Sequence, residues 1–148
     1  MMSGIRWVAM LFCIPLISSS TTASASELDG YRVISETIRT VTAYNVGDPR
    51  QTSGAACLSA NERNLCRALK AGEKHCAANF VPLGSLLYID GFGLCRVSDR
   101  TNSRYQNRVD IAMPRDDRQR ALEFGRQQLS VKIVQKKLAG GSPPQENH

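Results

Sequence analysis

The chain has 148 residues, 42% of them hydrophobic, with 19 Lys and Arg against 13 Asp and Glu, a formal net charge of +6. That length suits one domain. A basic balance suits an anionic partner such as cell wall, membrane surface or nucleic acid, and charge alone does not choose among them.

The chain opens with MMSGIRW, one positive charge at Arg6, then the apolar run VAMLFCIPLI and the small polar stretch SSSTTASAS. These are the n-region, h-region and small-residue site of a secretory signal peptide over residues 1–25, with Ala23-Ser24-Ala25 at the cleavage point. The apolar run is shorter than the roughly 20 residues a membrane-spanning helix needs. An uncleaved signal anchor is the alternative, but no stable membrane anchor is expected. The product is then exported, periplasmic or secreted from a bacterium.

Without Cys13 four cysteines remain, Cys57, Cys66, Cys76 and Cys95. An even count in an exported small domain reads as two disulfides. Three pairings are possible; Cys57–Cys66 with Cys76–Cys95 is favoured, because each closes a local loop and the second staples neighbouring strands. Zinc is the rival, yet no CxxC occurs and the histidines are His75 and His148 alone. No metal and no cofactor are expected.

Residues 26–36 read as an N-terminal linker. A first strand is predicted over residues 37–46, TIRTVTAYNV, rich in β-branched residues. GDPRQTSGAACLSANERNLC follows as a disulfide-held surface loop, and residues 63–71 suit one or two helical turns. Pro82-Leu83-Gly84 marks a turn, SLLYI a strand, Gly91 and Gly93 another turn, and LCRVSD a further strand. RVDIAM supplies the next strand. Pro114 begins a helix, PRDDRQRALEFGRQQL, that spaces Ala121, Leu122, Gly125 and Leu129 along one face. SVKIV, residues 130–134, is the last strand, and residues 137–148 have the composition of a disordered tail. The domain spans residues 37–136. Its fold class is mainly β, a small barrel with one or two short helices, stapled by disulfides.

Two aspartates draw the functional question. If LCRVSD and RVDIAM pair as a hairpin, Asp99 and Asp110 sit near one rim, flanking a polar, Arg-rich loop. Simple alternation places Asp99 on the face of Cys95 and Val97, inward, and Asp110 on the face opposite Val109 and Ile111. An aspartate pushed into an apolar rim has its pKa raised, which is what a general acid at neutral pH needs. The bland alternative is a pair of carboxylates accepting loop N–H bonds.

The order of these pieces is recognisable. Thr42-Ala43-Tyr44, Val81-Pro82-Leu83-Gly84-Ser85, Gly91-Phe92-Gly93, Asp99, Asn107-Arg108-Val109-Asp110 and Phe124-Gly125-Arg126 together resemble the 3D (Asp-Asp-Asp) domain. That family is seen in the C-terminal part of membrane-bound lytic transglycosylase A and in small bacterial cell-wall lytic proteins. The resemblance covers most of residues 40–134. It implies a double-psi β-barrel whose groove binds peptidoglycan glycan strands. The activity it implies is non-hydrolytic cleavage between N-acetylmuramic acid and N-acetylglucosamine, leaving a 1,6-anhydro sugar. Asp99 then matches the catalytic acid/base and Asp110 a second, orienting site aspartate. Tyr44, Asn79, Arg100 and Arg104 are the candidate substrate-binding residues. Ala77 stands where the family's first aspartate lies, and Arg100 to Gln106 replace its glycine-rich loop. The alternative function is a non-catalytic barrel binding cell-wall glycan or a protein partner. No nucleic acid is expected, because aromatics are few and not clustered with the arginines. No P-loop, HExxH, GxSxG or dinucleotide fingerprint occurs.

Overall fold

The computed structural model describes residues 26–51 and 55–138. The expected signal peptide and most of the expected tail lie outside them. The fold is mainly β. Six strands close a barrel in the order β1-β5-β2-β4-β3-β6: β1 Tyr31–Val46, β2 His75–Ala78, β3 Leu86–Ile89, β4 Gly93–Asp99, β5 Arg108–Pro114 and β6 Gln127–Lys136. Helix α1, Leu65–Lys70, follows the disulfide loop, and α2, Arg118–Phe124, precedes β6. Two neighbour pairs are parallel, β1 with β5 and β2 with β4; the other four are antiparallel.

The interior is filled by Val41, Cys76, Leu87, Ile89, Cys95, Val97, Val109, Ile111 and Val131, each at most 2% exposed. Period-two alternation puts these residues on the inner face and polar residues on the outer. The Cys76–Cys95 disulfide lies inside this core and staples β2 to β4, while Cys57–Cys66 closes the loop ahead of α1. Both pairings agree with the sequence expectation. Disulfides of this kind fit an oxidising compartment. Among the described residues no helix is long and apolar enough to cross a membrane.

Four local expectations are corrected. The first strand begins at Tyr31, inside the expected linker, because residues 31–41 run antiparallel along β6. The predicted helix from Pro114 shrinks: Pro114 ends β5, Arg115–Asp117 form a 3₁₀ turn, and α2 stops at Phe124. Gly125 adopts φ +61 and ψ −138, a region open essentially to glycine alone. Gln127 to Leu129 therefore join β6, and Leu122 is exposed rather than packed. The third correction is a strand that composition did not reveal: His75–Ala78, HCAA, buried at every position. The fourth follows from it. LCRVSD and RVDIAM do not form a hairpin, because β2 lies between β4 and β5 and pairs with both.

Replacing both Cys76 and Cys95 by Ala removes a cross-link of sequence separation 19 from the core. It is expected to cost about 2–5 kcal/mol in urea unfolding, more than the same change at Cys57 and Cys66, whose bridge closes a separation of 9. Unchanged unfolding of the Cys76/Cys95 double variant would contradict the stapling role.

Candidate functional site

Strand register assembles a row of side chains across four neighbouring strands. Thr42 of β1 pairs with Asp110 of β5, Asp110 pairs with Ala77 of β2, and Ala77 pairs with Asp99 of β4. Thr42, Asp110 and Ala77 alternate with the core residues Val41, Val109, Ile111, Cys76 and Ala78, so they belong to the outer face. Asp99 joins them through a register shift. Cys76 pairs with Val97 but Ala77 pairs with Asp99, which leaves Ser98 as an extra residue on β4. One extra residue inverts the alternation beyond it. Asp99 is therefore turned outward, against the inward placement that simple alternation gave, and the two aspartates share one face.

They also share one cleft, of about 770 Å³, within the usual range for small-ligand sites. Its floor is Tyr44, Ala77, Asp99 and Asp110; one wall is the disulfide loop, through Arg50, Gln51, Ala55, Leu58, Ser59 and Ala60; the other is the β4–β5 loop, through Arg100, Thr101, Asn102 and Tyr105. Behind the first wall, Leu65 of α1 packs with Val46 and Ala112, with Tyr44 and Cys66 against them. The Cys57–Cys66 bridge and α1 thus fix the wall to the barrel.

The two carboxylates have different surroundings. Asp99 is engaged at both oxygens. Oδ1 accepts the backbone N–H of Ala60 at 3.1 Å and of Arg100 at 2.9 Å, and Oδ2 accepts the Tyr44 hydroxyl at 3.3 Å. Burial, then the charge and hydrogen bond of Asp99, then the charge of Asp110, push the Tyr44 phenol above its ordinary pKa. It remains a protonated donor. Asp110 receives both of its contacts on one oxygen: Thr42 Oγ1 donates a short hydrogen bond to Oδ1, and Arg108 Nε lies 3.7 Å from the same atom. Oδ2 has no hydrogen-bond or ion-pair partner among the described residues. Burial raises the Asp110 carboxyl above its ordinary value, while the Thr42 bond and the Arg108 charge pull it back.

The expected binding residues fall into two groups. Tyr44 and Arg100 line the cleft, though Arg100 Nη1 donates to the carbonyls of Ala78 and Val81, at 2.6 Å each. Asn79 and Arg104 do not line it. The Asn79 amide donates to the carbonyls of Thr101, Asn102 and Tyr105, at 3.1 to 3.2 Å, and so holds the β4–β5 loop closed on itself. Arg104 lies over the Tyr105 ring, as does Arg108 at 3.7 Å to the centroid. Among the described residues no group of three or more His, Cys, Asp or Glu is arranged to hold a metal ion.

Sequence reading passed over several participants. Thr42 stands in the Thr42-Ala43-Tyr44 motif, but its hydroxyl's bond to Asp110 depends on the pairing of β1 with β5. Arg50, Ser59 and Ala60 sat in a stretch without periodicity, and nothing local marked them. His75 enters the sequence reading only in weighing zinc, yet it is 1% exposed and bonded at both ring nitrogens, to Ser98 and to Glu73.

No protein-family model matches the chain, and no curated protein matches it.

The raised Asp110 pKa has a stability consequence. A carboxyl whose folded pKa lies above its unfolded value of 3.8 contributes fully below that value and loses the contribution as pH rises through the folded pKa. Asp110→Asn keeps an acceptor for Thr42 and removes the charge. It is expected to raise stability at pH 7 by about 0.5–2 kcal/mol, with no gain at pH 3, as read from urea midpoints. A fall at pH 7 would show the charged form to be the better accommodated one.

Proposed function

We propose that this protein is an exported peptidoglycan-cleaving enzyme of lytic-transglycosylase type, built on a double-psi β-barrel of the 3D-domain kind. The observation that carries the reading is the placement of two differently held carboxylates in one saccharide-sized cleft. The six-stranded closed barrel with its two parallel pairings is consistent with the proposed fold. The two disulfides fit an oxidising compartment outside the cytosol.

Chemistry of this type runs on one proton-carrying carboxyl group. The acid protonates the glycosidic oxygen as the bond from C1 of N-acetylmuramic acid breaks. The resulting carboxylate then takes the proton of the same sugar's C6 hydroxyl as that oxygen attacks C1. The 1,6-anhydro ring closes, no water is consumed and the acid is regenerated. A second nucleophilic carboxylate is not required, unlike in a retaining hydrolase. Of the two candidates, Asp110 suits the acid better than the sequence resemblance suggested. Burial raises its carboxyl above the ordinary aspartate value, and both of its contacts fall on Oδ1, leaving Oδ2 without a partner among the described residues. Asp99 accepts three donors and is held beside the site in the orienting role, facing the position where positive charge develops at C1. Environments that hold two carboxyls differently are how one site separates such roles.

Ala77 favours a second reading, binding without turnover, because no third carboxylate stands between the two. One experiment separates them. Purified mature protein is incubated with murein sacculi, and the soluble products are analysed by mass spectrometry. Anhydro-muropeptides released by the parent and reduced about 10²–10⁴-fold by Asp110→Asn support the enzyme with Asp110 as acid. A comparable loss in Asp99→Asn with Asp110→Asn still active would return the acid to Asp99. Sacculi that sediment the protein while yielding no anhydro product would replace the enzyme with the binding barrel.

A further inference from the structure

Beside the register shift that turns Asp99 into the cleft runs a hydrogen-bond chain, buried at Ser98 and His75, that the proposed chemistry does not use. Ser98, the extra residue of β4, is 0% exposed, and its Oγ lies 2.7 Å from Nδ1 of His75 on β2. Nε2 of His75 lies 3.1 Å from Oε2 of Glu73, and Arg63 Nη2 donates to both oxygens of the same carboxylate. Arg63 belongs to the disulfide loop. There its backbone carbonyl accepts from the Ser59 N–H and hydroxyl, and its N–H donates to Ser59 Oγ. The next residue, Ala60, gives its N–H to Asp99 Oδ1. Starting from Asp99, the chain runs through Ser98, His75, Glu73, Arg63, Ser59 and Ala60 and returns to the Asp99 carboxylate.

The donors in this circuit are determined by the acids. The Arg63 hydrogen bonds, with a further bond to His75, hold the Glu73 carboxyl below its ordinary pKa, so Glu73 is an acceptor only. His75 Nε2 must then carry the hydrogen. Burial lowers the His75 pKa, against the pull of Glu73, and favours the neutral ring. A neutral ring protonated at Nε2 leaves Nδ1 as an acceptor, so the Ser98 hydroxyl donates to it. Ser98 cannot rotate away without orphaning a buried nitrogen.

We infer that His75 is a positioning residue that acts through Ser98: the pair pins the β4 irregularity and so sets where the Asp99 carboxylate lies between Ala60, Arg100 and Tyr44. Its consequence for catalysis rests on the function proposed above; its test does not. Ala60 and Arg100 both donate their amide N–H to Asp99 Oδ1, so in a ¹H–¹⁵N NMR titration with acid their amide protons report protonation of that carboxylate.

In Ser98→Ala these two amides are expected to lose most of their shared acid-induced shift, while amides in β3 and β6 keep theirs. Ser98→Thr retains the hydroxyl and is expected to restore the response. Should Ser98→Ala fail to fold, Glu73→Ala alters a half-exposed side chain and removes the Nε2 acceptor; it is expected to weaken the same two responses in the same direction. Parental responses of Ala60 and Arg100 in a folded Ser98→Ala protein, or in Glu73→Ala where that is the variant available, would overturn the inference. Sacculus turnover adds a second arm. If the proposed activity exists, Ser98→Ala lowers kcat with KM little changed, whereas an inactive parent removes the proposed function and leaves the NMR result to decide the positioning role.

Discussion

One extra residue on β4 sets the character of this molecule. Without the shift between the Cys76–Val97 and Ala77–Asp99 pairs, alternation would point Asp99 into a core already filled by Val97, Cys95 and Ile111. A carboxylate there would be desolvated with no donor to meet it, at a cost of several kcal/mol. With the shift, Asp99 stands on the outer face, one strand from Ala77 and two from Asp110, and the row runs on to Thr42. The irregularity is braced on one side by the buried His75–Ser98 contact and on the other by the Cys76–Cys95 staple between the same two strands. Irregularities of this kind commonly re-aim side chains beside functional sites.

The rest of the site follows from what is brought over that row. The barrel wall alone offers a shallow surface. The disulfide loop and the β4–β5 loop raise walls on either side, and polar contacts hold the shape of each: Asn79 and Thr101 for the β4–β5 loop, Ser59 and Arg63 for the disulfide loop. Both loops also give a backbone N–H to Asp99. The carboxylate that helps define the cleft is therefore also what holds its walls together. Asp110 lacks that task. It is engaged at one oxygen only, and burial raises its carboxyl above the ordinary value.

Much of the barrel was legible in the chain. Strands β1, β3, β4 and β5 carry the β-branched and aromatic residues that mark strands, and Gly84, Gly91 and Gly93 punctuate them. The disulfide pairing was readable because each bridge closes a short local loop. What escaped has physical reasons. β2 is four small or buried residues without alternating polarity, so HCAA carries no periodic signal. Missing it made β4 and β5 seem adjacent, since consecutive strands usually neighbour one another. The register shift at Ser98 is a tertiary fact, decided by how β2 and β4 meet, and no pattern within VSD announces it. The circuit through His75, Glu73 and Arg63 links residues on three segments and was invisible for the same reason. Asp99 and Asp110 were legible as candidates; that they share one face, in different surroundings, needed the fold.

The central claim is that these carboxyls lie in one cleft and that Asp110 is the one holding a proton more tightly than an ordinary aspartate. Side-chain carboxyl ¹³C NMR of the intact protein, followed across acidic to neutral pH, measures it directly. The account predicts that the Asp110 resonance titrates above the ordinary aspartate value of 3.8. An Asp110 that titrates at or below that value would contradict the account, because burial would then not set its carboxyl apart from an ordinary aspartate.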